Sequence, residues 1–349
     1  MFKTLTINNF RGIRFMQIDN LHKINLFFGK NNCGKSTVLD ALYLITGQSN
    51  PLRSLSINSI RNYPKFSKQD LKTEFYKLNP DNHIRIALSG DESRQLEISF
   101  FVSYDNTVDF QKIGSGDSDK QVTSYGLKLN YTDSNSDKIF SSELLIKEGD
   151  SDNGKTNIDP RYKEGIRSLY LPANYYNSTL PTQLGDIIVN KQESEILKPL
   201  QEIDPDIKDI QLVGSEILVD IGANQRLPIN MMGDGLRKLL TIIVAIHQCK
   251  DGVLLIDEID NGFHYSAMQV LWKAILKAAV ENNVQIFIST HNIDSIKGLA
   301  SVLSDTTTAD YQQEVGAFKL IKKTDGEVIA LKYDYPSFIY SVNQRQEMR

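Results

Sequence analysis

Gly29-Lys30-Asn31-Asn32-Cys33-Gly34-Lys35-Ser36-Thr37 decides how this chain is read. Before it, Ile24, Leu26 and Phe28 alternate as in a strand; after it, Val38, Leu39, Leu42, Tyr43 and Ile45 keep helical spacing until Gly47. A G-x4-G-K-S run between a strand and a helix is a phosphate-binding loop. Its glycines let backbone N–H groups wrap phosphate oxygens, and the positive end of the next helix strengthens that field. Gly29, Asn31, Asn32, Cys33, Gly34, Lys35, Ser36 and Thr37 are therefore candidate binding residues. Lys35 is expected to reach the outer phosphates, and the Ser36 hydroxyl to hold Mg2+. The bland alternative, a chance glycine-rich turn, is disfavoured by the strand and helix around it. Cys33 reads either as a small filler or as a thiolate favoured by Lys35 and the helix N-terminus.

Toward the C-terminus the chain is regular. Leu236, Leu239, Leu240, Ile243, Val244 and His247 share one helical face. Asp251-Gly252 then turns into Val253-Leu254-Leu255-Ile256, an apolar run expected of a parallel strand buried on both faces. A helix through Met268, Leu271, Trp272, Ile275 and Ala279 follows, and then a second buried strand from Val284 to Ile288. This β-α-β order predicts an α/β fold with a largely parallel core sheet. The first of these strands ends in Asp257-Glu258, where open α/β sheets bind ligands. Asp257 is expected to hold Mg2+ and Glu258 to orient or deprotonate an attacking water. Acidic turn residues after apolar strands are common, but a phosphate loop upstream favours the functional reading. The second strand ends in Ser289-Thr290-His291, where the imidazole could hydrogen-bond a γ-phosphate; the ordinary alternative is a structural histidine.

The remaining segments fit around this core. Leu5 and Ile7, then Phe15 and Ile18, read as two early strands. Ile84–Leu88, Leu96–Phe100 and Tyr125–Leu129 read as hairpin strands, with polar, mobile tips expected at 114–119, 133–137 and 149–154. Ser168–Leu171 reads as a strand returning to the core, followed by helical material to about 209 and a hairpin from Ile210 to Arg226. The expected segments are 1–48, the first part of the head; 49–165, a β-rich insertion lobe; 166–230, a helical and hairpin lobe; and 231–349, the second part of the head. In the 349 residues, 39 Lys+Arg against 43 Asp+Glu leave a net charge of −4, which excludes a globally basic nucleic-acid binder. A local basic patch remains open at Arg61, Lys65, Lys68, Lys72 and Lys77, against a plain solvated face. Two cysteines cannot build a disulfide framework, and the longest aliphatic run, Leu239–Ile246, is far below the ~20 residues of a membrane span. A cytoplasmic location is the expectation.

Together these blocks resemble an ABC-type ATPase of the branch that holds RecF, the SMC proteins and the OLD-family ATPases. Asn8-Asn9-Phe10-Arg11-Gly12-Ile13 is similar to the start of that branch, and the resemblance implies that Arg11 approaches the nucleotide. Met232-Gly233-Asp234-Gly235-Leu236-Arg237 resembles the signature loop, 22 residues before Asp257 (257 − 235). In the family that helix N-terminus binds the γ-phosphate held by a second subunit, so the resemblance implies ATP and Mg2+ sandwiched in a homodimer or a higher even oligomer. Gly233, Asp234 and Gly235 are then nucleotide-binding. Gly233 stands where a serine is usual, and Asp234 adds negative charge. Gln183 is the candidate for the family's metal-side glutamine, and Asp260 and His264, in a D-loop-like run, are expected at the dimer contact.

The resemblance covers about 1–48 and 165–349, including the final hairpin Phe318–Lys332 and the terminal Glu347-Met348-Arg349, and implies an ABC-ATPase head with an antiparallel β lobe and a helical lobe. No sustained heptads lie between Lys35 and Leu236, unlike SMC arms, and 58 residues follow His291 (349 − 291), fewer than a Toprim domain needs. The chain is thus most similar to a stand-alone OLD-type ATPase subunit. The expected function is ATP hydrolysis gating a separate effector, a nuclease or toxin, in phage defence or DNA maintenance. A RecF-like DNA clamp and a slowly hydrolysing scaffold are the alternatives.

Overall fold

A computed structural model describes residues 1–60, 67–104, 122–133, 136–149, 154–173 and 179–344. The first third holds β1 (Phe2–Phe10), β2 (Ile13–Ile18), β3 (Ile24–Phe28), α1 (Lys35–Ile45), α2 (Leu52–Ile60), α3 (Lys68–Lys72), β4 (Ile84–Gly90) and β5 (Arg94–Tyr104). Next come β6 (Val122–Asp133), β7 (Ser136–Lys147), β8 (Gly154–Asn157), β9 (Ser168–Leu171), α4 (Leu180–Val189), α5 (Glu193–Ile203), β10 (Asp209–Val213), β11 (Glu216–Asp220) and β12 (Leu227–Pro228). The last third holds α6 (Asp234–Gln248), β13 (Val253–Ile256), α7 (Met268–Glu281), β14 (Gln285–Thr290), α8 (Ile293–Ser304), β15 (Val315–Lys322), β16 (Val328–Tyr333) and α9 (Tyr335–Asn343).

The core sheet has the order β16-β15-β3-β14-β13-β9. Its last five strands run parallel, and β16 closes one edge antiparallel. Every residue of β3, β13 and β14 is buried, as expected for strands covered on both faces. Alternation along them sorts the side chains. Ile24, Leu26, Phe28, Leu254, Ile256, Ile286 and Ile288 pack with the residues of α6, α7 and α8. Phe27, Val253, Leu255 and Phe287 face the opposite way, into a cluster with Val38, Leu39 and Leu42 of α1. Trp272 of α7 is fully buried, and its indole N–H is satisfied by the Ser295 carbonyl at 2.9 Å.

A second sheet, β2-β1-β4-β5-β6-β7-β8, is antiparallel throughout and packs on the other side of α1. Leu5 pairs with Leu88 and Ile7 with Ile86, so the N-terminal strand joins the hairpins in one continuous sheet. The segment expected as an insertion after residue 48 therefore completes a sheet that the first eighteen residues begin. A three-stranded sheet, β10-β11-β12, and the helices α4 and α5 cap α6. The polar run 114–119, the centres of the other two expected tips, 134–135 and 150–153, and the terminal 347–349 lie outside the described residues. α8 and α9 were not anticipated from the sequence.

Candidate active site

In register, Phe28 lies opposite Thr290, and Ile288 opposite Ile256. The phosphate loop, the paired acids and His291 therefore leave three adjacent parallel strands at the same edge, with the histidine strand in the middle.

The phosphate loop depends on its glycines. Gly29 has φ 145°, and a Cβ there would stand 2.7 Å from the Leu320 carbonyl oxygen. Gly34, the residue before α1, has φ 104° and no side-chain cap, so the first N–H groups of the helix are left for a ligand. Asn31 and Asn32 are exposed, and Ser36 and Thr37 half-buried. Lys35 is buried, its ammonium donating to the Gly29 and Lys30 carbonyls at 2.9 and 3.0 Å. The loop is thus held around its own lysine. The thiol of Cys33 is buried and its pKa is pushed up, chiefly by burial, with Lys35 opposing. The filler reading of Cys33 agrees with this.

The Ser36 hydroxyl donates to Asp257 Oδ1 at 3.1 Å. The same oxygen accepts from the Ser289 hydroxyl, whose oxygen also takes the Glu258 N–H at 2.9 Å. Glu258 has φ 49°, a left-handed conformation that costs a non-glycine residue roughly 1–3 kcal/mol unless its surroundings hold it. Its carboxylate lies 3.7 Å from His291 Nδ1, and both side chains are partly open to solvent. Ser289 was not singled out from the sequence. A buried serine directly after the apolar run Ile286–Ile288 was the available signal.

An alcohol and a carboxylate converging on one point are hard oxygen donors, which suits Mg2+. That ion takes one or two protein oxygens and completes its shell with water and phosphate. Accordingly, no cluster of three or more His, Cys, Asp or Glu fit for a metal occurs among the described residues. Gln183, the other expected metal-side residue, sits in the first turn of α4 rather than in a loop after β9, and the Ser36–Asp257 pair forms without it.

Arg11 is engaged within the chain. All three guanidinium nitrogens are engaged: with Asp40 at 2.7 Å, Asn58 at 2.9 Å and Glu74 at 2.9 and 3.0 Å. Tyr170 of β9 also donates to Asp40, at 3.2 Å. Asp40 and Glu74 hold the guanidinium protonated far beyond the usual range even though burial opposes it. Arg11 thereby ties the β1–β2 turn to α1, α2 and residue 74.

The signature-like segment opens α6. Gly233 precedes the helix without a side-chain cap, and Asp234 is neutralised within the first turn by Arg237 at 2.8 Å. A Cβ on Gly235 would lie 3.3 Å from the Gly262 carbonyl oxygen, so this helix end is fitted against the loop after Glu258. Lys238 reinforces that contact, donating to the Glu258 and Asn261 carbonyls at 2.9 and 2.8 Å. Of the two expected dimer contacts, Asp260 is 9% exposed and accepts from Thr290, so its carboxylate faces inward. His264 is exposed, its ring 4.2 Å from that of the exposed Tyr265.

A cavity of about 800 Å³ lies away from the phosphate loop, between α4, the β10–β11 turn and α6. In the expected basic patch, Arg61 and Lys65 lie outside the described residues, while Lys72 and Lys77 rest over the rings of Phe100 and Tyr76. No helix among the described residues is long and apolar enough to cross a membrane.

Phosphate loop, paired acids and histidine at one edge of a parallel sheet, with a glycine-led helix beside them, define an ATPase head of the ABC type. The chain belongs to the AAA_21 family, described as "AAA domain, putative AbiEii toxin, Type IV TA system", matched over residues 24–296. A Helicobacter pylori protein described as an ATP/GTP phosphatase is 27% identical over 363 aligned positions, covering 95% of each chain. An uncharacterized Methanocaldococcus jannaschii protein, MJECL10, is 52% identical over 44 residues, 13% of this chain and 20% of its own length. Among solved structures, an SMC head bound to the C-terminal winged-helix domain of ScpA matches with TM-score 0.52 at 10% identity, covering 95% of this chain and 97% of that one. The Pyrococcus furiosus-derived complex of an Smc head with the C-terminal domain of ScpA matches with TM-score 0.50 at 11% identity, covering 99% of each. At such identities the likeness is one of fold.

Proposed function

We propose that this protein hydrolyses ATP with Mg2+ as a homodimer. Each nucleotide would lie between the phosphate loop of one copy and the Gly233–Gly235 helix end of the other. Closure of the dimer would gate a separate effector, a nuclease or toxin, in defence against phage. The observation that carries the reading is the Ser36–Asp257 hydrogen bond beside the Glu258–His291 pair. It joins a phosphate-binding turn to an acid poised for water.

Lys35 would exchange its two carbonyl partners for β- and γ-phosphate oxygens. Mg2+, held by Ser36 and Asp257, would neutralise charge on those oxygens. Glu258 accepts a proton from the attacking water as its oxygen bonds to the γ-phosphorus and the bond to the β–γ bridging oxygen breaks, leaving ADP and phosphate. His291 donates to the γ-phosphate and keeps Glu258 in place. The uncapped, exposed end of α6 supports a second copy as the source of the capping phosphate, since a helix N-terminus is an anion site. Pairing of Asp234 with Arg237 reduces the repulsion expected there. The description of the Helicobacter relative supports phosphatase chemistry and makes GTP the competing substrate.

Glu258→Gln tests this reading. The variant is expected to bind Mg-ATP, to lose turnover by roughly 10²–10⁴-fold, the usual worth of a general base, and to accumulate as a dimer in light scattering. Turnover equal to the parent refutes Glu258 as base. A monomer at saturating ATP refutes the sandwich. Faster parent turnover with GTP than with ATP refutes the assigned substrate.

A further inference from the structure

Lys238 lies one turn into α6, three residues after Gly235, yet its ammonium is spent on the loop that carries Glu258. It is half-buried, lines the cavity beside α6 and, among the described residues, has no carboxylate within ion-pair distance. Two backbone carbonyls hold its ammonium, and the ring of Phe263 lies 5.9 Å away. An ammonium with two fixed carbonyl acceptors holds backbone in place rather than pairing with a charge.

Its acceptors explain the arrangement. Glu258 is in the left-handed region, and both of its backbone polar groups are pinned from outside. Its N–H is held by Ser289 of β14, and its carbonyl by Lys238 of α6. The second Lys238 bond reaches Asn261, so the ammonium spans the whole turn from Glu258 to Asn261, a turn already closed by the Asn261 N–H on the Glu258 carbonyl at 3.1 Å. The base is thus positioned by two anchors from two elements. One is the strand that leads to His291. The other is the helix that begins after the exposed, uncapped Gly233.

We propose that Lys238 is a positioning residue that couples the occupancy of the Gly233–Gly235 helix end to the placement of Glu258 in the same chain. This rests on the proposed sandwich. A phosphate engaging the end of α6 bears on the helix, and the ammonium transmits that to the Glu258 carbonyl. Each copy's base is then set by the nucleotide its partner holds, which makes hydrolysis conditional on closure.

The experiment compares the full chain with Lys238→Met and Lys238→Arg in two readouts. In turnover, Lys238→Met is expected to lower kcat at least tenfold while KM for ATP stays within twofold, and Lys238→Arg to restore part of the loss. In hydrogen exchange with a non-hydrolysable ATP analogue and Mg2+, the parent is expected to gain protection at 234–238 and at 258–261 together. Lys238→Met should gain it at 234–238 alone. Protection of both segments in Lys238→Met overturns the coupling, as does a kcat equal to the parent's. A loss that follows a raised KM or a lowered melting temperature also overturns it, because that is a binding or folding defect. If the parent hydrolyses no nucleotide, the hydrolysis reading fails, and the exchange comparison still decides the coupling.

Discussion

Ser36 at the start of α1 donates its hydroxyl hydrogen to Asp257 at the end of β13, across 3.1 Å in space and 221 positions in sequence. This bond is the meeting point of the two halves of the head. Between the strands that deliver these residues runs β14, and its Ser289 bonds both Asp257 and the Glu258 amide. One hydroxyl thereby orders a metal-side acid and a base-side acid.

Ser289→Ala removes that hydroxyl and leaves the Glu258 N–H without a partner. A lost hydrogen bond of this kind costs about 1–3 kcal/mol, and the left-handed turn at Glu258 loses one of its two anchors. Turnover is expected to fall about tenfold or more for a misplaced base, with Mg-ATP affinity nearly unchanged. Calorimetric titration beside a phosphate-release assay separates the two.

Arg11→Met strips the countercharge from Asp40, which is fully buried, and from Glu74. Breaking a buried pair on one side typically costs about 3–5 kcal/mol. Urea unfolding of parent and variant at neutral pH measures that loss, and an unchanged midpoint would remove the structural role assigned to Arg11.

Burial lowers the Lys238 pKa to about 8, with Asp260, Glu258 and Asp257 opposing. Above that pH the folded protein releases a proton that the unfolded chain still holds up to its ordinary value of 10.5. The unfolded state then binds more protons, so this residue makes stability rise with pH across that window. Lys238→Met should lack this slope in denaturant titrations between pH 8 and 10. In the same range parent turnover should decline as the ammonium is lost.

Both cysteines are buried, and burial pushes the Cys249 thiol up to about 12 and raises Cys33 as well. Alkylation needs thiolate and access. Native protein at pH 7.5 is expected to resist iodoacetamide at both positions, and denatured protein to take two labels by mass spectrometry. Rapid native labelling at Cys33 would show the phosphate loop opening.

What could be read locally and what could not divides along particular residues. The loop from Gly29 to Thr37, the apolar strand before Asp257-Glu258 and the one before His291 are legible because each pattern is short-range: backbone freedom at glycine, burial on both faces, acids at a strand end. Asp40 was visible as an acid between Leu39 and Ala41 in an apolar helix, and Lys238 as a cation between Leu236 and Leu239, but neither position names its partner. Arg11 was read by resemblance, and its guanidinium turned to Asp40 and Glu74, contacts fixed by residues 29 and 63 positions away. The early hairpin was seen as strands, while its pairing with β4 depends on a register that neither strand carries alone.

Sequence by itself determined the core strands, the helices α1, α6 and α7, the phosphate loop and the chemistry available at each strand end, because these follow from local backbone freedom and hydrophobic period. Only the tertiary structure decided that β14 lies between β3 and β13, that Ser289 bridges the two acids, and that α6 reaches Glu258 through Lys238. Those are matters of strand order and side-chain meeting across long separations. They are settled by the packing of whole faces against one another, which no window of sequence contains.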